Sequence, residues 1–121
     1  MAESKNIQSD VIPKIATGLC AGISRTCGAF GAVIGAIMGI NLIYGRSRPG
    51  ESLETNFAVV QRFINKFECE FGSTNCKQLT GCDLGTKEGQ TTFKENKLVE
   101  HCKDYTEAAT KIAISIIADA S

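Results

Sequence analysis

The chain has 121 residues, 43% of them apolar, which allows one domain with a substantial core and no need of disulfide staples. Thirteen basic residues balance thirteen acidic ones with no long run of either sign, which excludes the electrostatic footprint of a nucleic-acid binder. Six cysteines are many for this length, yet below the density of a disulfide scaffold.

Met1 to Lys14 is polar and lacks the apolar stretch of a signal peptide, so a reducing cytoplasm is the expected compartment. There, clustered cysteines more often bind metal or exchange electrons than form structural bridges. Asp10 as an N-cap, Pro13 in the first turn, and Ile12, Ile15, Ala16 and Leu19 at core spacing predict a first helix over 10–23, loosened by Gly18 and Gly22. A turn near Ser24 to Thr26 separates it from a second helix, which Thr26 caps, Cys27 opens and Gly45 stops after Tyr44.

Inside that second helix, Gly31, Gly35 and Gly39 recur every four residues beside Ala32 and Ala36. A glycine in a helix interior costs about 1 kcal/mol relative to alanine, so three on one face require a return. The return is close approach of another backbone, or room for a bulky group. Residues 28–44 carry no charge, but the run contains Asn41 and falls short of the roughly 20 apolar residues of a membrane span. A buried central helix is the better reading, and membrane association is not expected.

Arg46 to Gly50 reads as a turn. Ser52, Glu51 and Glu54 start a third helix with the stripe Phe57, Val60, Ile64, Phe67 and Phe71, ended by Gly72, and Cys69 falls on its polar face. Ser73 is placed to cap a short helix, Thr74 to Thr80, closed by Gly81. Residues 82–96 read as a mobile loop, and a last helix carries Leu98, Cys102, Tyr105, Ala109, Ile112 and Ile116 on one stripe. With no strand alternation and no repeat, the expected fold is all-α. It is one domain over 1–121, an irregular bundle of four or five helices around the Gly/Ala-rich helix.

Cys76 and Cys27, each in a predicted first helical turn, are placed where orphan N–H groups favour thiolate. Cys102 lies on the inward stripe of the last helix, whereas His101 points roughly 100° away and reads as a surface residue. The sulfurs of Cys76 and Cys102 are expected to meet near the start of the second helix. Cys20 and Cys82 are further partners and Cys69 is not. None of the six forms a CxxC pair, so a metal reading rests on number and convergence.

Gly31-Ala-Val-Ile-Gly35-Ala-Ile-Met, Leu42-Ile-Tyr-Gly45-Arg46, Phe71-Gly-Ser-Thr-Asn-Cys76-Lys-Gln-Leu and Cys102 together resemble the redox-active family named C_GCAxxG_C_C. The same residues are similar to the non-haem-iron portion of split-Soret cytochrome c, over Ile12 to Ala118. The resemblance implies an all-α fold, four shared cysteines, and a redox or iron–sulfur role. Cys76 and Cys102 carry over directly. The family's cysteine before Gly-Ala-x-x-Gly aligns with Phe30, and Cys27, three residues earlier, is its candidate substitute. A cysteine-bearing helix that the family places ahead of Ile12 has no counterpart.

The expectation is a small cysteine-based redox protein with inward Cys27, Cys76 and Cys102, and Cys20 or Cys82 as a fourth partner. An iron–sulfur cluster or zinc is the candidate cofactor, since thiolates suit both. The alternative is a helical interaction or dimerisation module whose ligand position is filled by Phe30. A second copy of the chain is the expected partner, alongside a redox partner of unknown identity; whether the protein is an enzyme stays open.

Overall fold

The computed structural model describes residues 8–120. Its regular elements are helices: α1 (Val11–Ala16), α2 (Gly31–Tyr44), α3 (Glu54–Phe71), α4 (Cys76–Thr80), α5 (Lys87–Glu95) and α6 (Val99–Ala120). Among the described residues the only β pairing is an isolated antiparallel bridge between Ala29 and Asn75. The fold is all-α, as the sequence predicts. No helix among the described residues is long and apolar enough to cross a membrane. Most of the segment ahead of Ile12, where the family places a further helix, lies outside the described residues.

Three helices make the core. Val33, Ala36 and Ile40 of α2, Val59, Phe63 and Phe67 of α3, and Ala109, Ala113, Ile116 and Ile117 of α6 are all buried together. The alanines at 109 and 113, one turn apart, let α6 lie close against its neighbours. An aromatic series continues the core toward the other end. Phe63 meets Phe67 at 6.2 Å, Phe67 meets Phe71 at 4.8 Å, and Tyr105 takes both Phe71 and Phe30 edge-on at 5.0 and 5.6 Å.

The first half of the chain departs from expectation. The first helix stops at Ala16, and a 3-10 turn, Thr17–Leu19, leads into one left-handed turn over Cys20–Arg25. There φ is positive at Ala21, Gly22, Ile23, Ser24 and Arg25. Gly18 and Gly22 break the periodicity, and Ser24 Oγ donates to the Gly18 carbonyl at 2.7 Å, which ties the turn shut. The second helix begins at Gly31, not near Cys27. Thr26 Oγ1 donates back to Ile23 O at 2.9 Å instead of capping, and Cys27 sits in a loop with φ +61°. Phe30 precedes α2 in extended backbone and donates its N–H to Thr74 O at 2.7 Å.

In α3 the buried stripe is Val59, Phe63 and Phe67, with Phe57 left 49% exposed, so the apolar face is rotated from the predicted one. Gly72 closes α3 in the left-handed conformation, φ +85°. The short helix is capped by Asn75 rather than Ser73: the Asn75 side chain accepts the Gln78 N–H at 3.2 Å, and Ser73 Oγ accepts the Asn75 N–H at 2.9 Å. Asn75 Nδ2 also donates to Cys27 O at 2.8 Å, so one side chain starts α4 and pins the Cys27 loop. Asn75→Ala should therefore cost about 1–2 kcal/mol, at the upper end for a cap. Urea unfolding checks this; a loss within a few tenths of a kcal/mol would contradict it.

The predicted mobile loop is in large part a helix. Thr86 caps α5 by accepting the Gly89 N–H at 2.9 Å, and Asp83 Oδ1 turns the preceding chain by accepting the Gly85 N–H at 2.9 Å. None of the α5 residues is buried, which is why no core stripe announced it.

A thiol-lined cleft as candidate functional site

The left-handed turn, α2, α4, α5 and α6 converge beside the start of α2 and line a cleft of about 1090 Å³. Its floor is the small-residue face of α2, Gly31, Ala32, Gly35 and Ala36. Gly31 pays its helical cost through close approach: a Cβ there would lie 2.9 Å from Cys20 Cα. Gly35 does the other job, since a Cβ there would meet nothing within 4 Å. Gly39 is buried in the core below. The notched face thus supplies both backbone contact and an open slot.

Cys76 and Cys102 open onto this cleft beside Phe30, and Cys20 stands at its exposed rim. Cys76 is 4% exposed and Cys102 is half-buried. Cys76 lies within electrostatic reach of Cys102, of Cys27 and of Cys82, which makes it the hub of the thiol group. Cys82 is buried next to α4 but does not line the cleft, and Cys69 is exposed on the far face of α3. His101 is exposed.

The thiols are not activated as the sequence suggested. Burial pushes Cys76 up from the ordinary cysteine value, only partly opposed by Thr80, and Cys82 adds to the rise. Burial likewise raises Cys102, with Cys76 second. A five-residue helix offers too small a dipole to offset desolvation. Cys27 is raised chiefly because its Sγ donates to Asp83 Oδ1 at 3.1 Å, with further contributions from burial and the carboxylate charge. Asp83 is lowered by the same bond and by the Gly85 N–H.

These shifts fix a pH dependence. The folded protein holds thiol protons that the unfolded chain releases earlier, so their stabilisation is complete below the ordinary cysteine pKa and is lost as pH rises through the raised values. Asp83 acts oppositely: its contribution is present above the ordinary carboxylate pKa and is lost as pH falls through the lowered value. Urea midpoints should fall from neutral to alkaline pH, and less steeply in a Cys76→Ser, Cys102→Ser protein. Alkylation of Cys76 and Cys102 at neutral pH should be slower than that of free cysteine. Equal alkaline slopes in the two proteins would contradict the assignment.

Sequence reasoning missed the cationic side of the cleft. Lys87, Gln90, Thr91 and Lys94 of α5 line it, as does Arg25 from the left-handed turn. The spacing 87, 90, 91, 94 is one helical face, and it would have been a signal had α5 been read as a helix.

The fit to a metal cluster is poor in this arrangement. Among the described residues no three Cys, His, Asp or Glu side chains converge as ligands, and Cys27 is turned to Asp83. Across known families, the chain matches over residues 1–116 the family model described as "Putative redox-active protein (C_GCAxxG_C_C)". No curated protein and no solved structure matches it.

Proposed function

This chain belongs to the C_GCAxxG_C_C family, and from that premise we propose that it is a dithiol redox protein whose exchanging pair is Cys76 and Cys102. The observation that supports the reading most is that these two thiols, from separate helices, open onto one cleft within each other's electrostatic reach. Cys102, the more exposed, is the attacking group and Cys76 the resolving one. The Cys102 thiolate displaces one sulfur of a small disulfide and gives a mixed disulfide and one free thiol. Cys76 then attacks Cys102 Sγ, the second small thiol leaves, and a Cys76–Cys102 bond forms. Two protein thiols are oxidised as one disulfide is reduced to two thiols. Because no cluster-ligand set fits among the described residues, no step is routed through a metal.

The test is incubation of the reduced protein with oxidised glutathione, then trapping of free thiols and peptide mapping. A Cys76–Cys102 link is expected. Cys102→Ser should abolish it, and Cys76→Ser should stall at the mixed disulfide. A link between other cysteines would overturn the pair. A coloured, iron-containing protein from anaerobic purification would replace this reading with the iron–sulfur one.

A second reading, a helical module without chemistry, draws on Phe30. At the family's cysteine position its ring is buried and packs edge-on against Tyr105. In that reading the exposed Val11 and Ile15 of α1 would meet a second copy of the chain. Gain of metal binding by Phe30→Cys and a dimer in sedimentation would support it.

A further inference from the structure

The chemistry of the cleft wall is separable from its thiols. The floor, formed by Phe30, Ala32 and Ala36 with the open slot at Gly35, is apolar. Facing it are Lys87 and Lys94 on one face of α5, with Arg25 as a third cation. Among the described residues, no aspartate or glutamate lines the cleft. Glu88 and Glu95 of α5 fall outside the arc of about 100° that holds Lys87, Gln90, Thr91 and Lys94.

Among the described residues the ion pairs are Arg62–Asp119, Lys103–Glu100 and Lys111–Glu107, so all three cleft cations are unpaired. Gln90 contributes a side chain fixed by donation from Nε2 to Leu84 O at 2.9 Å, and Thr91 adds a hydroxyl. Small-molecule sites combine an apolar body with a few convergent polar groups, in volumes of about 300–1,000 Å³. At about 1090 Å³ this cleft lies just above that range, roomy enough for such a ligand.

We infer that the cleft is a binding site for a small organic anion with an apolar body. The apolar part lies over the α2 notch, and the carboxylate or phosphate group lies toward Lys87, Lys94 and Arg25. Like-signed cations without counter-charges leave a field that an anionic ligand relieves and that a cationic one would meet as repulsion. The apolar floor is what separates such a ligand from free inorganic phosphate, which would gain nothing from the slot at Gly35. The inference shares the cleft with the dithiol reading but does not depend on thiol exchange.

The test uses the reduced full-length protein and anilinonaphthalene sulfonate, an anionic fluorescent probe, with eight-carbon competitors. Saturable one-site binding is expected, displaced at least about tenfold better by octanoate or octyl phosphate than by octanol or octylamine. The difference between octanoate and octyl phosphate shows which anionic group is preferred, and failure of inorganic phosphate to compete is expected.

Lys87→Gln with Lys94→Gln should weaken binding about tenfold, and the double Lys→Arg variant should restore it. Both changes sit on a helix with no buried residue, so folding is not at stake. Gly35→Leu should abolish binding with no loss of thermal stability, and Cys76→Ser with Cys102→Ser should leave binding intact. Equal displacement by octanol and octanoate, undiminished binding by the glutamine pair, or undiminished binding by Gly35→Leu would each overturn the inference. None of these outcomes bears on whether Cys76 and Cys102 form a disulfide.

Discussion

Phe67→Ala is expected to cost about 3–5 kcal/mol of stability, enough to leave a domain of this size largely unfolded at moderate temperature. Phe67 is fully buried, one turn before the end of α3, and meets aromatic rings on both sides, Phe63 at 6.2 Å and Phe71 at 4.8 Å. Removing its ring leaves a cavity in the core that α2, α3 and α6 share, whose buried members are already close-packed and cannot all move inward. Phe57→Ala is the control from the same helix: with its ring 49% exposed, its loss should stay near or below about 1 kcal/mol. Urea unfolding of the two variants decides the matter, and similar losses for both would show that the apolar face of α3 has been misassigned. The consequence reaches the cleft, because Phe71 leans on Tyr105, Tyr105 on Phe30, and Tyr105 Oη donates to Leu79 O at 3.1 Å beside Cys76.

That pair of phenylalanines also shows how far the sequence could be read. In α3 both 57-60-64-67-71 and 59-63-67 are helical stripes, and periodicity alone cannot say which faces the core. The choice came from α6 and α2, whose contacts select the arc containing Phe63. The last helix was more legible: Ala109 and Ile116 of its predicted stripe are buried, though Ala113 and Ile117, equally buried, lie beside that stripe rather than on it. The early segment was not, because a left-handed turn with five consecutive positive φ values has no periodic signature and contains only one glycine, Gly22. At the site, helix assignment singled out Cys76 and Cys102, and both line one cleft. Cys27 could not be placed, because its partner Asp83 is 56 residues away on a turn whose role emerges only in three dimensions. The cations were invisible for a related reason: α5 is held by its Thr86 cap and the Asp83 turn rather than by buried side chains.

Gly22→Ala should produce the second large loss, about 2–4 kcal/mol, through the wall behind Cys76. Gly22 has φ +65°, and its carbonyl accepts the N–H groups of Thr26 at 3.3 Å and Gly28 at 3.0 Å. A Cβ at this position would stand 2.7 Å from Cys76 Cβ and 3.3 Å from Cys76 Sγ. Positive φ is not the deciding factor, because Ala21, Ile23 and Ser24 bear it with side chains in the same turn. The clash decides, because neither side can retreat. Cys76 is fixed by its N–H to Gly28 O at 3.0 Å and by the Asn75 cap, and Gly22 by the two N–H groups on its own carbonyl. Gly18→Ala, where a Cβ meets only Ser24 Oγ at 3.5 Å, should be nearly neutral. Cys76→Ala keeps the offending Cβ and should not rescue Gly22→Ala, whereas Cys76→Gly should recover part of the loss, a coupling that a double-mutant cycle measures. A Gly22→Ala protein within about 0.5 kcal/mol of the parent would mean that the left-handed turn does not pack on Cys76. The cleft would then lack the wall that carries Arg25 and Cys20, so the stability of this one variant tests the geometry on which both the thiol pair and the anion site stand.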